Sequence, residues 1–207
     1  MSTDKLVINK RSQKLHKCFL WVAGGILFHG VFLVMFTGGG VNFLVLRYFT
    51  LLSNVLLGLG FICKAVAPGQ FTKYVQFSGF VAILITCLVY NLMLVPLAGA
   101  DPVTSDYGNF VTHLLAGVLA LVNYLLFEEK QGIGLGHIGV AVAFPIGYWL
   151  VFAPGWTYFA PYFFMDPATI GWGMTLLWFG VLVLVFFAMA LGLMWLDQRK
   201  GHHALTS

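Results

Sequence analysis

The chain has 207 residues, of which 60% are hydrophobic and only 9% charged, and it carries a formal charge of +4 at a mean hydropathy of +0.91. Soluble domains carry about 25% charged residues, so this composition excludes an ordinary water-soluble fold and makes the bilayer the solvent for most of the chain. In lipid every backbone N–H and C=O must be satisfied within the chain, which leaves helices or a closed barrel. Stretches such as Gly173–Trp195 are continuously apolar, without the alternation of barrel strands, and predict helices.

A polar, basic arm (1–14) comes first. The apolar segment after it runs past signal-peptide length without an Ala-x-Ala cleavage site, so it reads as a membrane span. Six spans are predicted: Lys17–Phe36, Phe43–Ala65, Val75–Leu97, Phe110–Phe127, Ile138–Ala153 and Gly171–Trp195. Gly38-Gly39-Gly40, Pro68-Gly69, Asp101-Pro102 and Pro154-Gly155 punctuate the connections. The domain organisation is therefore the arm, one transmembrane domain (15–197) and a tail (198–207). Ten of the eleven Lys and Arg residues fall on one side of this arrangement, with Arg47 alone on the other. The positive-inside rule assigns the ten-residue side, with both termini, to the cytoplasm. The fold class expected is an all-α membrane bundle of six transmembrane helices, N-in/C-in.

The basic residues are scattered between spans, so the charge does not suggest nucleic-acid binding. Cys18, Cys63 and Cys87 share no metal-ligand spacing and read as reduced and structural. His202-His203 lies in the tail, and neither a metal nor any other cofactor is implied. Gly134-Leu-Gly-His-Ile-Gly139 matches a dinucleotide-binding pattern, but it follows no strand and precedes a membrane helix. No Gly-x-Ser-x-Gly elbow and no His-Glu-x-x-His helix occurs.

Polar groups inside a span are costly and usually face the bundle interior. Arg47, Thr50 and Asn54 share one face of the second span, and Asn109 and His113 share one face of the fourth. Thr86, Tyr90 and Asn91 lie in the third span, His29 in the first and Tyr148 in the fifth; Tyr158, Tyr162 and Asp166 precede the sixth. At 1.5 Å per residue Thr50 lies about 10 Å inside its outer boundary and His113 about 5 Å inside its own. Two helices thus bring a hydroxyl and an imidazole to the outer half of the membrane, whereas the inner half holds chiefly Asn123 and Tyr124. Each residue also has a plain structural explanation. Thr50 can bond the carbonyl four residues back, Arg47 can snorkel to headgroups, and Asn54 and Asn91 can join helices. Trp149, Trp156, Tyr158, Tyr162 and Trp172 read as an interfacial aromatic belt.

An ordered set of segments carries a resemblance. Arg47-Tyr-Phe-Thr-Leu-Leu-Ser-Asn54 is followed by Val89-Tyr-Asn-Leu, Thr112-His113, Asn123-Tyr-Leu-Leu-Phe127, Phe144-Pro-Ile-Gly-Tyr148 and Tyr158-Phe-Ala-Pro-Tyr-Phe-Phe-Met-Asp166, then Gly171. Over residues 15–195 the set resembles the androgen-induced and androgen-dependent TFPI-regulating membrane protein family, especially its small bacterial six-helix relatives. Leu-Leu-Ala-Gly-Val follows His113 where the family usually has Pro, and Asn123-Tyr124 stands where the bacterial members have Asp-Trp. The resemblance implies threonine-type hydrolysis of fatty-acid esters of hydroxy fatty acids, with Thr50 as nucleophile and His113 as the essential histidine. It also implies a bacterial cytoplasmic membrane location, with membrane lipids and an amphiphilic ester as partners. In such a site Arg47 would hold a substrate carboxylate, Asn54, Asn91 or Tyr90 would stabilise an oxyanion, and Asp166 would orient His113. The residues leave two other readings open: a bundle that binds or transports a small solute or lipid, and a scaffold associating through a face such as Ala188/Gly192.

Overall fold

The computed structural model describes residues 3–36, 40–101, 105–127, 132–152 and 160–205, with residues 3–10, 98 and 200–205 described by their backbone alone. Lys130, Pro154-Gly155, Trp156 and Tyr158 therefore lie outside the described residues. The helices are α1 (Thr3–Met35), α2 (Phe49–Val66), α3 (Gln70–Val89), α4 (Val95–Ala98), α5 (Tyr107–Phe110), α6 (Ala116–Leu126), α7 (Leu135–Phe152) and α8 (Pro167–Leu205). Among the described residues no strand occurs. Six stretches are long and apolar enough to cross a membrane: Arg11–Met35, Phe49–Val66, Gln70–Leu97, Tyr107–Leu126, Leu135–Phe152 and Pro167–Arg199. The protein is an all-α, multi-pass membrane bundle.

Helix α3 is the central element, packed against α2, α6, α7 and α8, while α1 lies along α2. Two glycines set the α2–α3 spacing. A Cβ on Gly60 would lie 2.7 Å from the Gln76 Cα, and one on Gly79 would lie 2.6 Å from the Leu57 Cα. Only glycine permits backbones this close, the small-residue packing that membrane helices use when lipid removes the hydrophobic drive between them. Leu20, Leu27, Leu57, Phe61, Val81 and Ile83 form the buried centre. Large apolar side chains such as Leu92, Leu125 and Leu184 are exposed on the outside, where lipid takes the place of water. Ala188 and Gly192 are also exposed, on α8.

Three irregularities depart from simple spans and shape the site. The second span starts late: Phe43–Arg47 form a 3-10 turn, Tyr48 is extended (φ −71°, ψ 131°), and α2 begins at Phe49. Thr50 is thus the second residue of its helix rather than two turns inside it. The third span widens into a π turn at Tyr90–Leu94, where the Val95 N–H reaches the Tyr90 carbonyl. Pro96, just beyond, has no N–H and crowds the carbonyl of Leu92. The fourth span widens likewise at Val111–Leu115, where the Ala116 N–H reaches the Val111 carbonyl. There the side chains of Thr112 and His113 also engage the carbonyls of Gly108 and Asn109, the competition that loosens a helix locally. A fourth break falls in α8, where Gly171 adopts φ 79°, the left-handed region open chiefly to glycine.

Candidate functional site

The late start of α2 and the two π turns converge on one cavity of about 600 Å³. Thr50, Tyr90, Thr112 and His113 line it, together with Asn109, Asp101, Asp106 and Tyr162. π turns recur at functional sites because the extra residue rotates a side chain off the ordinary helical face. Here they bring Tyr90 and His113 face to face, with ring centroids 3.6 Å apart and planes 28° from parallel.

The hydrogen bonds fix the imidazole. His113 Nδ1 lies 3.2 Å from the Asn109 carbonyl oxygen and 3.1 Å from Thr112 Oγ1. A carbonyl only accepts, so this geometry places the proton on Nδ1. The Thr112 hydroxyl donates to the Gly108 carbonyl at 2.9 Å, which leaves its oxygen free to accept. Nε2 then keeps its lone pair and is the basic nitrogen. Around the ring, Asn109 Nδ2 donates to the Tyr90 oxygen at 2.7 Å, and the Tyr90 hydroxyl donates to the Asp101 carbonyl at 2.6 Å. Asp106 caps the span by accepting from the Asn109 N–H at 2.8 Å. The expected helical partnership of Asn109 and His113 holds, through the Asn109 carbonyl.

Thr50 sits at the mouth of α2, where the first N–H groups of a helix have no partner within it. Tyr162 supplies one. Its phenolic oxygen is hydrogen-bonded to the backbone of Phe49 and Thr50 and to the Thr50 side chain, and burial pushes the phenol up to about 12. Tyr162 therefore belongs to the site rather than to an aromatic belt. Behind Thr50 lies a second, apolar pocket of about 70 Å³. It shares Thr50, Tyr90, Leu94 and Tyr162 with the polar cavity, and Phe49, Pro145, Tyr148 and Phe186 help wall it. A carbonyl beside Thr50 would have a polar space on one side and an apolar one on the other.

The remaining predicted residues lie elsewhere. Asn54 is fully buried, and its Nδ2 donates to the Thr50 carbonyl at 2.8 Å and to the Thr112 carbonyl at 3.0 Å. It clamps α2 to the fourth span beneath the site and does not line the cavity. Asn91 turns back to the Cys87 carbonyl at 2.9 Å. Arg47 lines a neighbouring crevice of about 360 Å³, which meets the main cavity only at Tyr48. Its carbonyl accepts from the Tyr148 hydroxyl at 2.7 Å. Asp166 caps α8: it accepts from the Ala168 N–H at 3.0 Å and from the Thr169 hydroxyl, bonds that hold its carboxyl below the usual carboxylate range. It does not line the cavity, whereas Asp101 and Asp106 do. His29 is exposed, with its ring centroid 6.2 Å from that of Tyr107.

Sequence reasoning passed over Asp101, Asp106 and Tyr162 as site residues. Their signal was position, since all three lie in connections that return to the end of the bundle where Thr50 and His113 start their spans. Among the described residues no group of three His, Cys, Asp or Glu side chains is arranged to hold a metal ion. Compared with known proteins, the chain matches no family model, no curated protein and no solved structure.

Proposed function

We propose that the protein is a threonine-type hydrolase of lipid esters, with Thr50 as nucleophile and His113 as general base. The observation that carries this reading is one cavity lined by a threonine at a helix N-terminus and by a histidine whose Nδ1 is fixed and whose Nε2 is left basic. A threonine hydroxyl is a poor nucleophile until a base takes its proton. In the first step Nε2 accepts that proton as Oγ1 bonds to the ester carbonyl carbon. The carbonyl oxygen becomes an oxyanion, which the Phe49 and Thr50 N–H groups stabilise once it replaces the Tyr162 oxygen there. Collapse breaks the bond to the alcohol, which leaves with the proton from Nε2. Water then repeats the sequence on the acyl-threonine, releasing the acid and restoring Thr50.

The apolar pocket beside Thr50 suits the first carbons of an amphiphile's hydrocarbon arm, and the polar cavity suits its other arm. The Lys and Arg distribution supports an N-in/C-in orientation, which opens the site toward the outer leaflet. The segment resemblance supports the lipid-ester class and a bacterial cytoplasmic membrane.

Purified wild type, Thr50→Ala and His113→Ala are to be compared with an ester-directed covalent probe and a chromogenic ester. Each substitution is expected to abolish labelling and to lower turnover on the order of 10³-fold or more. Labelling that persists in both variants sinks the reading.

A further inference from the structure

The opposite end of the bundle holds another cavity, of about 50 Å³, with polar groups on mostly apolar walls. It lies between the start of α3, the end of α6, the start of α7 and the end of α8, and its walls include Lys73, Gln76, Asn123, His137 and Asp197 over a floor of Phe61, Phe77 and Phe80. Most of its polar atoms are engaged. His137 Nδ1 accepts from the Gly134 N–H at 3.2 Å, Asn123 Oδ1 pairs with His16 at 3.1 Å, and the Tyr124 hydroxyl donates to the Leu193 carbonyl at 3.2 Å. Asp197 Oδ2 accepts from the Ile133 N–H at 3.2 Å.

Two atoms stand apart. Gln76 is 5% exposed and Asp197 is 0% exposed, yet Gln76 Nε2 and Asp197 Oδ1 have no hydrogen-bond partner among the described residues. A buried polar group left unpaired costs about 1–3 kcal/mol, and more when charged, so a donor and a carboxylate acceptor on the walls of one cavity mark the place of a ligand. An ammonium group would pair with Asp197 and leave Gln76 facing another donor. A phosphate would pair with Gln76 and be repelled by Asp197. A hydroxyl answers both, donating to Asp197 and accepting from Gln76. One water needs about 10–15 Å³, so the cavity admits a few water-sized groups and no acyl chain.

Basic residues lie at this end of the bundle. Lys73 lines the cavity one helical turn from Gln76. Lys14 and Lys17 are exposed on α1, Lys64 is half-buried at the end of α2, and the exposed Arg199 stacks 3.7 Å over the Trp195 ring. Basic side chains at a membrane surface attract anionic headgroups. We propose that this cavity binds the headgroup of a hydroxyl-bearing anionic glycerophospholipid of the phosphatidylglycerol class, with a headgroup hydroxyl bridging Gln76 and Asp197 and the phosphate at Lys73.

Native mass spectrometry of the delipidated full chain tests this, with dioleoyl phosphatidylglycerol, phosphatidic acid and phosphatidylcholine added in turn. Phosphatidic acid carries the phosphate without the glycerol hydroxyls, so it reports the basic rim alone. Wild type is expected to retain phosphatidylglycerol about tenfold better than phosphatidic acid, and both better than phosphatidylcholine. Gln76→Leu and Asp197→Asn are each expected to erase the first preference and keep the second, which also shows that the variant is folded. Gln76→Leu removes an unpaired donor without adding charge, so it carries the test if Asp197→Asn fails to fold. Equal retention of phosphatidylglycerol and phosphatidic acid by wild type overturns the proposal, as does a preference that survives in a folded variant.

Discussion

At the acidic end of the bundle, Thr112, His113, Asn109 and Tyr90 bond to one another and to nearby carbonyls around a cavity of about 600 Å³. At the basic end, Gln76 and Asp197 line a cavity of about 50 Å³ and each keeps one polar atom without a partner among the described residues. The two ends therefore stand in different relations to a ligand. The bonds among Thr112, His113, Asn109 and Tyr90 hold that network's geometry, which suits a site that turns substrate over, while Asn54 Oδ1 beneath it and Thr86 Oγ1 beside it have no partner among the described residues. An unsatisfied pair is stable only when something fills it, which suits a resident molecule. If this contrast is right, the two ends can be damaged separately.

Outside the reacting pair, the largest effect is expected at the clamp. Asn54→Ala removes the amide that joins the Thr50 and Thr112 carbonyls and leaves a space beneath the site. Ester turnover is expected to fall about 10²-fold through misplacement of Thr50 against His113, with a stability loss of about 2–3 kcal/mol. The phosphatidylglycerol preference at the other end should stay at the wild-type value. Kinetics and lipid retention on the same preparation check this, and a parallel fall in both shows that the ends are coupled.

Gly60→Ala should do the reverse, with a smaller effect. Its Cβ would meet the Gln76 backbone at 2.7 Å, so α3 must shift where it carries the unpaired amide. A loss of about 1–3 kcal/mol is expected from the overpacking, read as a lower unfolding temperature in detergent. The phosphatidylglycerol preference should weaken while ester turnover stays within about twofold of wild type, since Thr50 lies almost three helical turns away.

The six helices were legible because hydropathy and span length report directly on the solvent of each segment. That Thr50 and His113 line one cavity was legible because a polar side chain in lipid must face inward, and helical spacing says which others share its face. Arg47 and Asn54 lie off the cavity for different reasons: the extended Tyr48 starts α2 at Phe49 and leaves Arg47 before the helix, whereas Asn54 keeps the face of Thr50 one turn deeper, where it bonds the Thr50 and Thr112 carbonyls. A π turn likewise leaves no periodic trace and turns the face by part of a residue, which is why Asn91 leaves the site while Tyr90 enters it. The basic-end cavity was hidden differently. Lys73, Gln76, His137 and Asp197 come from three spans, each supplying polar residues near a helix end, where they look like ordinary interfacial residues.

Tyr162 gives the smallest of these effects and the one most specific to the acidic end. Its oxygen meets the N–H groups of Phe49 and Thr50, and burial pushes its phenol above the ordinary 10.0 to about 12. The fold therefore favours the protonated form. The stability that Tyr162 contributes is fully present below pH 10, where folded and unfolded chains both hold the proton. It is lost as pH rises from 10 toward 12, because the unfolded phenol ionises first. Tyr162→Phe deprives the same N–H groups of their partner, so the variant should be less stable than wild type by about 1 kcal/mol at pH 7. It has no phenol to ionise at this position, so the gap should close above pH 10 and reverse before pH 12. Unfolding temperatures of the two proteins across that range decide the matter. A gap that stays constant means that the Tyr162 phenol is not buried at the mouth of α2, and the oxyanion role assigned to those N–H groups then loses its stand-in.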